Sequence, residues 1–417
     1  MEFQTLAHHQ IRIAFPDARR AMLARTTTLA AERVALLDAR GRIAAETLRA
    51  NENIVPFARS AMDGYAVFAA DTSGASHATP LALRVVDATY AGDAAPSHRP
   101  ATAIAIATGG MLPDGVDAVV PFENIERDGE TIVLRAPLRR FDHIFEPGDD
   151  AKRGDVLVAA GDAMTPGRAA LLASAGYPTV AVHRKPRVAI VSTGNELVAI
   201  DAWPKPGQIR NSNATMLGGC ALADGAELVF VEHARDRVGE LRETLDRALA
   251  VADLVITSGG ASTGERDLVK ASLSSLGADF VFESVALRPA KPTAFATCAG
   301  RLVAVLPGNP AAAFVAYMAL VRGVVRAQAG RTDPFPARLE ATLHGRVHRK
   351  AERHFLMFAR ANVSEAGFVV RPLENQCSSL VRTSADANAF VIAEPGAGYL
   401  ETGDRVPIEL LDASALF

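Results

Sequence analysis

Cysteine is scarce in this sequence: the 417 residues contain three, Cys220, Cys298 and Cys377, far apart and without a C-x-x-C pair. That pattern argues against a disulfide framework or a zinc site and fits a reducing compartment. Long apolar runs are also missing. The longest, Ala311 to Val321, falls well short of a membrane span, and the N-terminus has no apolar core of signal-peptide length. Basic residues show no excess, 44 against 47 acidic ones, and charge runs are short, so neither a nucleic-acid surface nor a polybasic membrane patch is expected. The histidines read as surface or core residues. These absences leave a cytoplasmic globular protein as the expectation.

A hydrophobic content of 49% and a charged content of 22% suit packed cores. The length implies roughly two to four domains. Residues 1–49 and 151–180 read as a helical or mixed linker region. Residues 50–150 carry short alternating runs such as LALRVVDA and DAVVPFENI between Gly, Pro and Asp, the pattern of a β-rich unit. From 181 to 330, strand and helix patterns alternate, which predicts a doubly wound α/β layer with a hairpin at TAFATCAGRLVAV. RTDPFP then reads as a linker, and 331–417 as a small β domain.

Ligands of such α/β layers belong at the carboxyl ends of the strands, and three loops there are unusual. These are STGNEL (Ser192, Gly194, Glu196), SGGASTGERD (Ser258, Gly259, Gly260, Ser262, Gly264, Asp267) and LPGNP (Pro307, Gly308, Asn309). Each also has a local structural account. Asn309 and Pro310 suit a helix start, Ser262 and Glu265 have capping-box spacing, and Asp267 suits the positive end of a helix. Together they bring bare backbone and carboxylates to one place. A divalent metal such as Mg²⁺ would reconcile carboxylates with a phosphate there, held by Glu196 and Asp267. A Walker loop is absent. RSAMDGYAV reads either as a hairpin turn at Asp63-Gly64 or as a carboxylate, Asp63, facing a phosphate site. Arg288 and Lys291 in LRPAKP read as a solvated basic turn or as a clamp for an oxyanion.

In order, NENIVPFARSAMDGYAV, IATGGMLPDGVDAVVPFE, VAIVSTGNEL, GQIRNSN, SGGASTGERD, LRPAKPTAF and LPGNPAAAF resemble the MoeA-type molybdopterin molybdotransferases, relatives of the gephyrin E domain. The likeness runs from about residue 17 to the C-terminus. It implies an L-shaped homodimer with the active site between one subunit's α/β domain and the other's β-rich domain. It also implies Mg²⁺-dependent cleavage of adenylylated molybdopterin, insertion of molybdate and release of AMP. By motif, the resemblance assigns Asp63 and Thr108 to one side of the site and Glu196 and Asp267 to the other. Asp236 and Asp150 match further acidic positions, and the resemblance puts Asp236 and Asp63 with Glu196 and Asp267 on the metal side. Arg288 and Lys291 match a basic pair, and Arg360 and Ser378 match molybdate-binding positions, sensible donors for a tetrahedral dianion. Transient contact with a molybdopterin adenylyltransferase or an acceptor molybdoenzyme is implied as well. This chain departs from the family pattern at Met111, Asn195, Ala290 and Cys377.

Two other readings compete. A molybdopterin adenylyltransferase usually needs only the α/β domain, whereas this chain carries the MDGY unit and a C-terminal β unit. A non-catalytic scaffold would be expected to bring fused domains and a long linker.

Overall fold

A computed structural model describes residues 12–260 and 267–411. The chain divides into two compact units. The smaller holds Glu46–Ala160 and Thr165–Thr179, and the larger holds the remainder.

In the larger unit an α/β layer is built on a six-stranded sheet. Its strands are β1 (Arg187–Thr193), β2 (Glu227–Ala234), β3 (Leu254–Ser258), β4 (Asp279–Phe282), β5 (Ala294–Cys298) and β6 (Arg301–Leu306), in the order β2-β1-β3-β6-β5-β4. The first four in that order are parallel, and β5 and β4 add an antiparallel edge. The β5–β6 hairpin turns at Ala299 and Gly300, both at positive φ, as a two-residue primed turn requires. Along β1, Val188 and Ile190 face one core while Ala189 and Val191 face the other. Successive strand side chains point to opposite faces, so burying both faces demands the continuous apolar run the sequence shows. Helices α1 (Ser212–Ala223) and α4 (Pro310–Ala316) cover the first face. Helices α2 (Val238–Val251) and α3 (Leu268–Ser275) cover the second. In α2 the buried residues Leu241, Thr244, Leu245, Ala248 and Leu249 form one stripe at helical spacing.

The helix begun by α4 continues to Gln328. Its 19 residues are apolar and long enough to cross a membrane, but 78% of its most apolar window is buried, which is how a core helix satisfies the same composition. A π turn at Tyr317–Val321 interrupts it. Beyond it, β7 (Leu339–Leu343), β8 (His354–Ser364), β9 (Gly367–Pro372), β10 (Ala389–Ala393) and β11 (Arg405–Leu410) close into a five-stranded barrel, β8 pairing with both β9 and β10. Alternation again sorts the side chains. Phe355, Met357 and Ala359 fill the barrel, while Leu356 and Phe358 pack outward onto the α/β core.

The smaller unit carries a six-stranded sheet ordered Ala118–Pro121, Gly64–Val67, Thr102–Ile106, Leu81–Thr89, Thr131–Leu134 and Ile125–Asp128. Asp63-Gly64 is not the hairpin turn that one reading of the sequence expected. Gly64 begins a central strand paired on both sides, and a Cβ there would stand 2.0 Å from the Val120 carbonyl oxygen. The glycine is required by strand packing rather than by a turn. The segment 17–49 is mixed: a helix at Phe15–Ala24, then a strand at Ala31–Ala35.

Candidate active site

From β1 the chain runs to β2 on one side and, by way of β2, to β3 on the other, so β1 and β3 flank a topological switch point, where open α/β sheets bind ligands. The loops leaving β1, β3 and β6 line a cleft of about 880 Å³ there. Of the residues anticipated from sequence, Gly194, Glu196, Asp236, Ser258, Gly259, Gly260, Pro307, Gly308 and Asn309 line it. Ser192 is buried one residue behind the lining. Ser262 and Gly264 lie outside the described residues.

The loops are held by specific contacts. The Asp236 carboxylate accepts from Thr193 Oγ1 at 2.7 Å and from the Asn195 amide at 3.3 Å, and Asn195 Oδ1 accepts from the Asp236 amide at 3.2 Å. Both Asp236 oxygens therefore fix the β1 loop. Glu196 is different: its exposed carboxylate has no hydrogen bond or ion pair among the described residues. It folds back over Gly194, where a Cβ would meet Glu196 Oε2 at 2.6 Å.

Asn213, in the first turn of α1, was not singled out from the sequence, yet it joins the other two loops. Its Nδ2 donates to Ser258 Oγ at 2.7 Å and to the Gly308 carbonyl at 2.8 Å. Its Oδ1 is buried without a partner among the described residues, an arrangement that costs free energy until a donor arrives. The only local signal was the N-S-N at a helix start, where Asn211 is the N-cap, accepting from the Ala214 amide.

Glycine lets the loops meet. A Cβ on Gly259, at φ 101°, would stand 2.2 Å from the Thr193 carbonyl oxygen, and one on Gly308 3.3 Å from the Gly259 Cα. Gly259→Ala is accordingly expected to destabilise the fold by about 2–4 kcal/mol. Chemical denaturation checks this, and an unchanged midpoint would refute the packing argument.

Asp267 does not line the cleft. It is the N-cap of α3, accepting from the Lys270 amide at 3.1 Å, and its Oδ2 lies 3.3 Å from Lys270 Nζ. Oδ2 is buried and, among the described residues, has no partner beyond this Lys270 contact. Burial raises this carboxyl above the ordinary aspartate value of 3.8, while the Lys270 contacts pull it down less strongly. A raised acid stabilises the fold fully below its unfolded pKa and ceases to do so as pH rises through the folded one. Asp267→Asn keeps a capping acceptor, so its urea midpoint should gain on the wild type as pH rises from about 4 to 7. A constant difference across that window would contradict the assignment.

The remaining anticipated residues are dispersed. Lys291 is exposed beside cleft-lining Pro292, whereas the Arg288 guanidinium lies 5.1 Å from the centre of the Phe355 ring. Between them Ala290 adopts φ 85°, a left-handed conformation for which glycine is better suited. Arg360 Nε donates to the Asp386 carbonyl at 2.9 Å, away from the cleft lining. The Ser378 carbonyl accepts from the amides of Ala311 at 3.0 Å and Ala312 at 3.4 Å, so it caps α4 and brings Ser379 to the cleft. Asn309 is the N-cap residue of α4, but its side chain makes no capping bond. Its Nδ2 lies 3.5 Å from Ser378 Oγ. In the smaller unit the structure joins Asp63 to Thr108: Asp63 Oδ1 accepts from the Thr108 amide at 2.7 Å and from its hydroxyl at 3.1 Å. Asp150 lies in the same unit, exposed.

Among the described residues no three His, Cys, Asp or Glu side chains gather as a metal cage. The donors present are hard oxygens, one of them on a carboxylate without partners among the described residues. This fits a Mg²⁺ held by one or two carboxylates together with ligand phosphate oxygens.

Family comparison covers nearly the whole chain. Residues 13–176 match the MoeA N-terminal region (domain I and II), 189–327 a probable molybdopterin binding domain, and 340–411 the MoeA C-terminal region (domain IV). The molybdopterin molybdenumtransferase of Bacillus subtilis is 36% identical over 91% of this chain and 90% of its own. That of Staphylococcus aureus strain Mu50 is 31% identical over 97% and 96%. The crystal structure of a molybdopterin biosynthesis MoeA protein from Pyrococcus horikoshii superposes with a TM-score of 0.81 at 31% identity, over 96% of this chain and 99% of that one. With three family regions matched in order and relatives alike over almost their full length, this chain belongs to the MoeA family of molybdopterin molybdenumtransferases.

Proposed function

We propose that this protein is a molybdopterin molybdotransferase of molybdenum cofactor biosynthesis, a transferase that takes adenylylated molybdopterin and molybdate as substrates. The pterin dithiolene sulfurs become ligands of molybdenum as a molybdate oxygen leaves as water, and water cleaves the phosphoanhydride to release AMP. The observation that carries this reading is the order of the three matched regions. An adenylyltransferase would need only the middle one.

The cleft chemistry supports it. The backbone of Gly259, Gly260 and Gly308 can approach a ligand without side chains in the way, and Asn213 holds both loops in register. Glu196 is the carboxylate best placed to hold Mg²⁺, and Asp267 is proposed as the second although it is paired with Lys270 outside the cleft lining. When bound, the metal would supply positive charge against the phosphates as AMP departs. Asp236 orients the β1 loop that presents Glu196. Lys291 supplies further positive charge at the rim, stabilising the charge that develops on the leaving phosphate. Arg360 and Ser378 are proposed for molybdate. A homodimer is proposed in which Asp63 and Thr108 of the partner complete the site. The cytoplasm is the proposed compartment, with transient hand-over from an adenylyltransferase and to acceptor molybdoenzymes.

The test is AMP release from adenylylated molybdopterin with Mg²⁺, with and without molybdate. Molybdate-dependent AMP release is expected. Net adenylylation of molybdopterin from ATP would move the protein to the adenylyltransferases, and neither activity would leave a scaffold.

A further inference from the structure

A second cavity, of about 310 Å³, opens on the larger unit away from the cleft. Its charged lining consists of Arg40, Arg42, Lys185, Arg326 and Arg331, with Asp224 as the one acidic member. We propose that it is a second anion site, taking a small, multiply charged phosphate-type oxyanion such as pyrophosphate.

The cavity gathers positive charge that is not compensated. Asp224 is already committed, accepting from Tyr317 Oη at 2.9 Å, Arg322 Nε at 3.2 Å and Arg326 Nε at 2.8 Å. Arg42 donates to the His183 carbonyl and pairs with Glu32. The side chains of Arg40, Lys185 and Arg331 have no hydrogen-bond or ion-pair partner among the described residues. Arg40 and Lys185 are exposed and solvated, but they border arginines that are not. The side chains of Arg42 and Arg326 are 11% and 24% exposed, and Arg331 is half-buried. Burial, together with the charges of Arg322 and Arg331, lowers the pKa of the Arg326 guanidinium despite its bond to Asp224. Like charges brought together out of water repel unless an anion is shared among them. Guanidinium groups bind phosphate oxygens in pairs of parallel hydrogen bonds. The volume is at the low end for ligand pockets, which suits one or two phosphate groups and not the larger substrate proposed for the cleft.

The inference does not depend on the reaction proposed above, and its test separates the two sites. Full-length protein would be titrated calorimetrically with pyrophosphate in the absence of divalent metal. Wild type, a Lys185→Ser/Arg331→Ser double variant and the cleft variant Glu196→Gln would be compared. Saturable binding is expected for the wild type and for Glu196→Gln, weakened by about tenfold or more in the double variant. Pyrophosphate is also expected to raise the melting temperature of the wild type and Glu196→Gln more than that of the double variant. Should the double variant fail to fold, Lys185→Ser alone, a change at an exposed side chain, still predicts weaker binding. Absence of saturable binding to the wild type, or equal binding by the cavity variants, would overturn the proposal. So would tighter binding in Glu196→Gln, because removing that carboxylate's charge favours only an anion held in the cleft.

Discussion

Replacing Glu196 by Gln is expected to lower the rate of AMP release by about 10²–10³-fold while leaving the melting temperature unchanged. The two halves of this expectation have separate causes. Stability is unaffected because the carboxylate is exposed and makes no hydrogen bond or ion pair among the described residues, and substitutions at such positions rarely matter to folding. The amide retains the shape and the polar oxygen, so the space over Gly194 stays filled. Turnover suffers because a neutral amide is a much weaker ligand for Mg²⁺ than a carboxylate. Single-turnover AMP release and a thermal melt, run on one preparation, check both halves. A variant with wild-type turnover would remove Glu196 from the site, and one that melts early would show that its role is structural.

Asp224→Ala is expected to cost about 3–5 kcal/mol of stability, the largest effect of any single substitution considered. Its side chain is 1% exposed and receives Tyr317, Arg322 and Arg326. Tyr317 opens the π turn and Arg322 follows it by five residues. In an uninterrupted α-helix those positions diverge around the axis, and the wider turn brings both to one carboxylate. Truncation leaves the Arg322 guanidinium, 8% exposed, without a counter-charge and deprives the Tyr317 hydroxyl of its acceptor. Equilibrium urea unfolding measures the loss. A change below about 1 kcal/mol would mean that the arginines find other partners.

What the sequence made legible and what it did not follows from how local each signal is. The strand–helix alternation from Arg187 onward, the hairpin at Ala299-Gly300 and the small C-terminal β domain are patterns of neighbours in the chain, and the fold has them. The bunching of the STGNEL, SGG and PGNP loops followed from the rule that parallel strands present their carboxyl ends together. Asn213 escaped notice because its two acceptors lie 45 and 95 residues away, and a single Asn at a helix start looks like capping. Asp63-Gly64 suggested a hairpin because the dipeptide favours turns, but the bare Cα is needed for Val120, on a neighbouring strand. Asp267 was rightly placed at the start of a helix, yet its burial and its closeness to Lys270 depend on packing. The basic cavity gathers residues from positions 40 to 331, and no window along the chain contains it.

The substrate is proposed to sit at the carboxyl ends of β1, β3 and β6, and a crystal structure of Glu196→Gln with adenylylated molybdopterin tests that most directly. The predicted result is density for the phosphoanhydride within hydrogen-bonding distance of the Ser258–Gly260 and Pro307–Asn309 backbone, with Asn213 Oδ1 engaged by a donor. Density for the ligand elsewhere, on the barrel or in the basic cavity, with this cleft holding only solvent, would contradict it.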